Sequence, residues 1–349
     1  MAEVIQTGLA SYGLSGQVFH APFLETNAGF NIKKVWERTK NLSVQRYPHI
    51  EIVRNYEEIL NDKDIELIIV NTPDTTHYEV TKQALEAGKH VVVEKPFTLN
   101  SKEGEELAAL AGKKNLVLSV YQNRRWDGDF KTVQQILDKQ LLGRLVEYEA
   151  HYDLYKNFVV PGKWKEQASS FPGLIYDLGA HMIDQALVLF GMPESVTADL
   201  RTQRPGSEVN DYFNVKFNFP ETVVTVKGGF LVREKGPRYI IHGTEGSFLK
   251  WGVDPQEQDL IDGYFPEGTD WGKEEEKYWG ILNTHMHGLH HYGKIETLPG
   301  NYHGYFDNIY YAIRKGEKLA VPAEQGINVI RVAEASLQSN EENRAVKLK

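Results

Sequence analysis

The chain contains no cysteine. This excludes disulfides, thiolate nucleophiles and any zinc or iron–sulfur site held by sulfur, and it agrees with a reducing compartment. No apolar run approaches the ~20 residues that a membrane span requires. The opening MAEVIQTGLASYG lacks a basic stretch leading into an apolar one, so no signal peptide is expected. Together these absences predict a cytoplasmic protein. A basic excess is missing too. The net charge is −9 without long blocks of one sign, which argues against nucleic acid or an anionic membrane as the main partner. A local basic pocket for a phosphate stays compatible with that balance. Internal repeats and low-complexity tracts are absent.

What is present is an ordinary globular mixture: 349 residues, 41% hydrophobic and 25% charged, enough for two domains or one large one. In the first third, apolar runs without polar alternation (Ile65–Asn71, His90–Glu94, Leu116–Val120) are separated by helical stretches of about ten residues. Helices are expected over Gly13–Leu24, His77–Ala87 and Ser101–Lys113, the last with Asn100 and Glu103 placed as a capping box. Buried strands alternating with helices predict a parallel, doubly wound α/β domain. Beyond Gly143 the pattern changes. Leu145–Leu154 alternates, Gly173–Phe190 is helical, and Val196–Arg204, Val209–Phe219, Thr222–Val232 and Arg238–His242 follow in series. Such strands in series predict an open antiparallel sheet. The expected division is residues 1–122 and 123–349, with the last helices packing back on the body.

The first strand runs into Gly8-Leu-Ala-Ser11-Tyr12-Gly13-Leu-Ser-Gly16. Read as G-x-G-x-x-G, Ser11 replaces the first glycine, Gly13 permits close approach of a pyrophosphate and Gly16 permits helix–strand packing. The Ser11 hydroxyl is positioned to donate to a phosphate. Glu37 lies 21 residues past Gly16, at the expected end of the second strand. A carboxylate there binds ribose hydroxyls and favours NAD, whereas Arg38 beside it would pair with a 2′-phosphate and favour NADP. The balance at this point leans to NAD.

Two further features carry chemistry. Strand His90–Val93 empties into Glu94-Lys95-Pro96, so a lysine stands at the carboxyl end of a parallel strand, where open α/β sheets bind ligands. The second is Gly173-Leu-Ile-Tyr-Asp177-Leu-Gly-Ala-His181-Met-Ile-Asp184, in which Asp177, His181 and Asp184 form one polar stripe on a helix. Reversible alcohol oxidation needs a base for the hydroxyl proton and a group that steadies the developing alkoxide. A histidine oriented by a carboxylate, with an ammonium nearby, meets both needs.

With these motifs in this order, joined by Asn71-Thr72-Pro73 and His77, the sequence resembles the Gfo/Idh/MocA oxidoreductase family. Phe19-His20-Ala21-Pro22, Tyr121-Gln-Asn-Arg-Arg-Trp-Asp127 and Pro299-Gly-Asn-Tyr bring it nearest to the scyllo-inositol dehydrogenase-like branch. The resemblance implies a Rossmann domain followed by an α+β domain with a large open antiparallel sheet, and a homodimer or homotetramer formed through that sheet. It implies NAD or NADP as cofactor, with Ser11, Tyr12, Gly13, Gly16, Glu37, Arg38, Thr72, Pro73, His77, Glu94 and Lys95 around it. It assigns Lys95 to the substrate hydroxyl, His181 to general acid–base work and Asp177 to orienting it or touching substrate. It also implies a cis Lys95–Pro96 bond. Asn123, Arg124, Trp126, Asp127 and Trp164 are candidate substrate contacts. The substrate expected is an inositol or sugar hydroxyl carbon, and the stretch Tyr155–Trp164 is where the pocket should be individual.

Other readings compete. An epimerase, lyase or hydrolase that oxidises its substrate transiently would carry the same motifs, as would a non-catalytic sugar or nucleotide sensor. His285-Met-His287-Gly-Leu-His290-His291 gathers four imidazoles in seven residues, but the spacing does not match a helical pair and no carboxylate interrupts it. A loop folded round Zn²⁺ or Ni²⁺ is the competing reading; a solvated loop or a pocket rim is expected there, and no metal ligand is assigned.

Overall fold

The structure, a computed structural model, describes residues 3–162, 164–168, 171–286 and 288–348. The chain forms two compact units. The first comprises Met1–Trp126, Pro255–Trp271 and Asn301–Ile327, and the second Asp127–Asp254, Gly272–Gly300 and Asn328–Lys349.

In the first unit, strands β1 (Ile5–Leu9), β2 (Phe30–Trp36), β3 (Glu51–Val53), β4 (Leu67–Val70), β5 (His90–Val93) and β6 (Leu118–Val120) pair in parallel in the order β3-β2-β1-β4-β5-β6. The central runs Leu67–Val70 and Val91–Val93 are wholly buried, which is why they carry no polar alternation. Strand order reverses between β1 and β4, and that switch leaves a crevice at the carboxyl ends.

The link from β1 to β2 is not the single helix expected over Gly13–Leu24. Gly16–His20 winds as a π turn, and an α-helix (α1, Ala21–Glu25) follows. Pro22 explains the break: it has no N–H to give, and its ring crowds the carbonyl four residues back. The chain relaxes into a wider turn in which the Ala21 N–H reaches Gly16 O. Helices α2 (Ser43–Arg46), α3 (Glu57–Leu60), α4 (His77–Glu86) and α5 (Ser101–Lys114) follow. Asn100 caps α5 by accepting the Glu103 N–H at 3.0 Å. Helix His303–Lys315 is tied in twice: the Tyr305 hydroxyl lies 2.8 Å from Ser119 Oγ, and Arg314 meets the Glu66 carboxylate through two 2.7 Å bonds.

The second unit holds a nine-stranded sheet in the order β14-β13-β12-β11-β7-β10-β9-β8-β15. The strands are β7 (Leu145–Asp153), β8 (Ser195–Arg201), β9 (Tyr212–Asn218), β10 (Val223–Gly229), β11 (Tyr239–Gly243), β12 (Gly246–Lys250), β13 (Gly280–Met286), β14 (Leu289–Ile295) and β15 (Val346–Lys347). It is antiparallel, as expected, except that β7 and β10 run parallel. A parallel pair needs a long crossover, and the chain between them contains helix α7 (Leu174–Phe190) and hairpin β8–β9. Helix α7 packs on β9 and β10.

Two expectations change here. Gly128–Asp138 is a helix (α6) that the sequence reading did not assign, although Phe130, Val133 and Ile136 recur at helical spacing and are buried. The histidine-rich segment is not a loop. His285 lies in β13 and His290 and His291 lie in β14, with residues 280, 282 and 284 buried and 283 and 285 exposed at the two-residue period of a strand. His287 lies outside the described residues. No described helix is long and apolar enough to cross a membrane.

Candidate active site

In the first unit the switch-point crevice is a cavity of about 510 Å³, within the range of small-molecule sites. Its walls come from three strand ends: Ser11, Tyr12 and Gly13 after β1, Trp36 to Lys40 after β2, and Thr72, Pro73 and Thr76 after β4. Ser11 makes the turn itself, its hydroxyl accepting the Gly13 N–H at 3.2 Å, which leaves the hydroxyl proton available. Asn71 Nδ2 donates to Ser11 O at 2.9 Å and pins the same turn from β4. A Cβ on Gly16 would stand 2.8 Å from Ser11 O, so only glycine fits where the π turn passes the strand end. At Gly13 a Cβ would meet nothing closer than Ser11 Oγ at 3.7 Å. The backbone there is bare toward the cavity, as close approach of a pyrophosphate requires. The Tyr12 hydroxyl is buried without a partner among the described residues, and burial pushes it up to about 12, so it stays protonated.

Glu37 was expected to face a ribose. It borders the cavity, but its carboxylate accepts the Leu42 N–H (2.8 Å), the Ser43 N–H (2.9 Å) and the Ser43 hydroxyl (2.6 Å), and so closes the start of α2. Arg38, Thr39 and Lys40 between them are exposed and line the cavity. Arg54 holds their backbone, donating to Glu37 O at 2.6 Å, to Lys40 O at 2.7 Å and to the Asn41 side chain. His77, expected along the cofactor, is fully buried. Its ring nitrogens lie 2.8 Å from Pro96 O and 3.0 Å from Thr72 O, joining the loop after β4 to the turn after β5. Thr76 Oγ1 donates to Pro73 O at 2.7 Å and lies 2.8 Å from the Thr72 hydroxyl, whose proton it can accept.

Glu94 and Lys95 follow directly on β5. Glu94 is buried, with Oε1 2.8 Å from His20 Nε2 and Oε2 accepting the Lys95 N–H at 3.2 Å. Burial alone would raise its carboxyl. The His20 hydrogen bond, with the charges of His20, Lys95 and His77, outweighs burial and holds it below the usual range. The Lys95–Pro96 peptide is cis. Asn123 and Arg124 open a 3₁₀ turn and are buried; the Arg124 guanidinium pairs with the Glu257 carboxylate. The Trp126 ring stands edge-on to Tyr305 at 5.5 Å, with Gly304 against its Nε1. Arg124 and Trp126 are thus engaged in packing.

The remaining candidates, Asp127, Trp164, Asp177 and His181, belong to the second unit. Asp127 is buried and precedes α6, and Trp164 opens a 3₁₀ turn; its side chain lies outside the described part. Gly173, at φ 102°, starts α7 against Asn210, which leaves no room for a Cβ. Asn210 donates to Pro172 O at 2.8 Å and accepts the Ile175 N–H at 3.2 Å and the Leu174 N–H at 2.9 Å, which satisfies the first amides of the helix. Asp177 stands in that first turn, where the helix dipole favours a carboxylate. Its Oδ1 accepts from Lys165 Nζ at 2.9 Å, a partner not foreseen from the sequence. His181 and Asp184 follow on the same face and are buried. Lys165 and Asp177 line a cavity of about 300 Å³ with Lys156, Phe158 and Val160, residues of the stretch expected to shape an individual pocket. Arg204 closes it, ion-paired to Glu166 at 2.7 Å and Asp211 at 2.8 Å and lying over Phe230. Among the described residues no group of three or more metal-ligating side chains occurs.

The profile of the oxidoreductase family, NAD-binding Rossmann fold, matches residues 5–122, and that of its C-terminal alpha/beta domain matches residues 134–348. The chain is 42% identical over 349 residues to scyllo-inositol 2-dehydrogenase (NADP(+)) IolW of Bacillus subtilis (strain 168), covering 99% of this chain and 96% of that protein. A crystal structure from Bacteroides fragilis NCTC 9343 superposes with a TM-score of 0.93 at 51% identity, covering 99% of this chain and 100% of that one. An oxidoreductase from Bacillus cereus gives 0.91 at 34% identity, with 99% of each chain covered. The chain belongs to the Gfo/Idh/MocA oxidoreductase family.

Proposed function

We propose that this protein is an NADP-dependent dehydrogenase that interconverts a secondary hydroxyl and a ketone on an inositol or related sugar. The observation that carries the reading is Lys95, at the carboxyl end of β5 and directly after the buried, ionised Glu94. Full-length similarity to a scyllo-inositol 2-dehydrogenase supports the substrate class. The nicotinamide, when bound, supplies the hydride acceptor or donor. Ser11, Tyr12, Gly13 and Gly16 would hold the pyrophosphate side of the dinucleotide, with Thr72 and Pro73 along its length. Lys95 donates a hydrogen bond to the reacting oxygen and steadies it as an alkoxide. His181 takes or returns the hydroxyl proton, and Asp177 orients it or grips a neighbouring hydroxyl.

The choice of NADP over NAD revises the leaning of the sequence. Glu37 is committed to the start of α2, while Arg38, Thr39 and Lys40 present two cations and a hydroxyl to the cavity. That set suits a 2′-phosphate. Residues 1–122 then hold dinucleotide and 123–349 hold substrate, in a cytoplasmic homo-oligomer associating through the large sheet. Initial rates over a panel of inositols and aldoses, each with NADP⁺ and NAD⁺, test the reading. Turnover of at least one cyclic polyol with kcat/KM about tenfold or more higher for NADP⁺ is expected. No turnover across the panel, or a preference for NAD⁺, refutes it.

A further inference from the structure

His20 has no role in the chemistry just given, yet it is fully buried next to the strand end that carries Lys95. Its ring centroid stands 4.5 Å from that of Tyr121, with Phe306 edge-on at 6.2 Å. Nε2 lies 2.8 Å from Glu94 Oε1, while Nδ1 is buried without a partner among the described residues. A carboxylate only accepts, so Nε2 is the donor and the tautomer is fixed. A polar pair taken out of water in aromatic surroundings is a poor stabiliser; apolar side chains of the same volume hold a fold as well or better. The chain nevertheless delivers this histidine there at the end of its π turn, a distortion that recurs at functional sites. Glu94 passes the constraint on, since its second oxygen takes the Lys95 N–H.

We infer that His20 is a positioning residue: by gripping Glu94 it fixes the strand end from which Lys95 reaches the substrate. The inference rests on the proposed role of Lys95. Its elements are the hydrogen bond from His20 to Glu94, the hydrogen bond from the Lys95 amide to Glu94, and the Tyr121 and Phe306 rings packed against His20. The charged and titratable groups that bear on Glu94 are His20, Lys95, His77 and the Tyr305 hydroxyl. Loss of the His20 donor removes the first influence that keeps the carboxylate ionised, and burial then favours the neutral acid.

The test uses the full chain with His20→Asn, His20→Gln, Glu94→Gln and the double variant His20→Asn/Glu94→Gln. Four readouts are needed: kcat and KM for the best polyol, the pH profile of kcat/KM, NADPH affinity by fluorescence titration, and melting temperature. His20→Asn is expected to lower kcat about 10–100-fold, as small misplacements of a reacting group do, with NADPH affinity within about threefold. Its acid limb moves to higher pH, because Glu94 protonates more readily. His20→Gln recovers part of the loss, and the double variant is no worse than Glu94→Gln within about twofold. A His20→Asn enzyme with unchanged kcat and pH profile but a lower melting temperature overturns the inference, as do losses that multiply in the double variant. Lys95→Ala, measured alongside, separates the two levels. If it turns over fully, the role of Lys95 falls and that of His20 with it. If it is inactive while His20→Asn behaves as wild type, only the role of His20 falls.

Discussion

Lys165 Nζ lies 2.9 Å from Asp177 Oδ1, at the first turn of the helix that also carries His181. The ammonium holds the carboxylate in one orientation. Lys165→Met keeps the stem and removes the charge. It is expected to lower kcat/KM for the polyol about 10-fold while NADPH affinity, read by fluorescence, stays unchanged. Unchanged steady-state kinetics would show that the pair is ornamental.

Lys95→Ala and His181→Ala are each expected to lower turnover by roughly 10²–10⁴ while dinucleotide binding survives. Stopped-flow hydride transfer together with calorimetric titration of NADPH checks both halves. Wild-type turnover in either variant withdraws the role assigned to that residue.

Arg38→Ala/Lys40→Ala is expected to raise the KM for NADP⁺ about 10–100-fold and to leave that for NAD⁺ within about threefold. The backbone of the loop is held by Arg54, not by the two side chains removed, so the change should be one of charge alone. Equal losses for both dinucleotides would locate the 2′-phosphate elsewhere.

The Arg314–Glu66 bidentate pair gives a stability prediction with a definite sign. Hydrogen bonding to Arg314, against the opposing effect of burial, holds the Glu66 carboxyl below its usual range. A depressed folded pKa contributes stability that is present above the unfolded value of about 4.5 and is lost as pH falls through the folded one. Arg314→Met should therefore cost about 1 kcal/mol at pH 7. The difference between the two proteins in urea titrations should shrink as pH drops below about 4.5, leaving the part due to the bonds that Arg314 gives to Glu3 O and Val4 O, and a difference that stays constant with pH contradicts the account.

Much of this architecture was legible because period and burial agree. Leu67–Val70 and Val91–Val93 are apolar on both faces and lie inside a parallel sheet, and Lys95 lands at a strand end because β5 stops at Val93. The four-residue spacing of Asp177 and His181 likewise gave one helix face. What escaped detection depended on partners distant in sequence or on local conflict. Nothing in the residues around Glu37 announces that its carboxylate will turn to Ser43. Lys165 sits in an irregular segment whose geometry no periodicity reports. His20 was visible as part of a motif but without a task, since its partner Glu94 is 74 residues away. The π turn was concealed by a helical pattern that Pro22 then broke. The β13–β14 hairpin was hidden by polar residues, because β14 is an edge strand largely open on both faces.

The grip of Glu37 on Ser43 has an evolutionary consequence. Stripping the cations from the neighbouring loop would not by itself return a carboxylate to the adenosine ribose, because that group still closes a helix end. Altering residue 43 alone would not free Glu37 either, because two of its three bonds come from the backbone amides of Leu42 and Ser43. On the proposed reading, a change of coenzyme therefore requires the loop from Glu37 to Ser43 to be rebuilt, and the preference should resist drift.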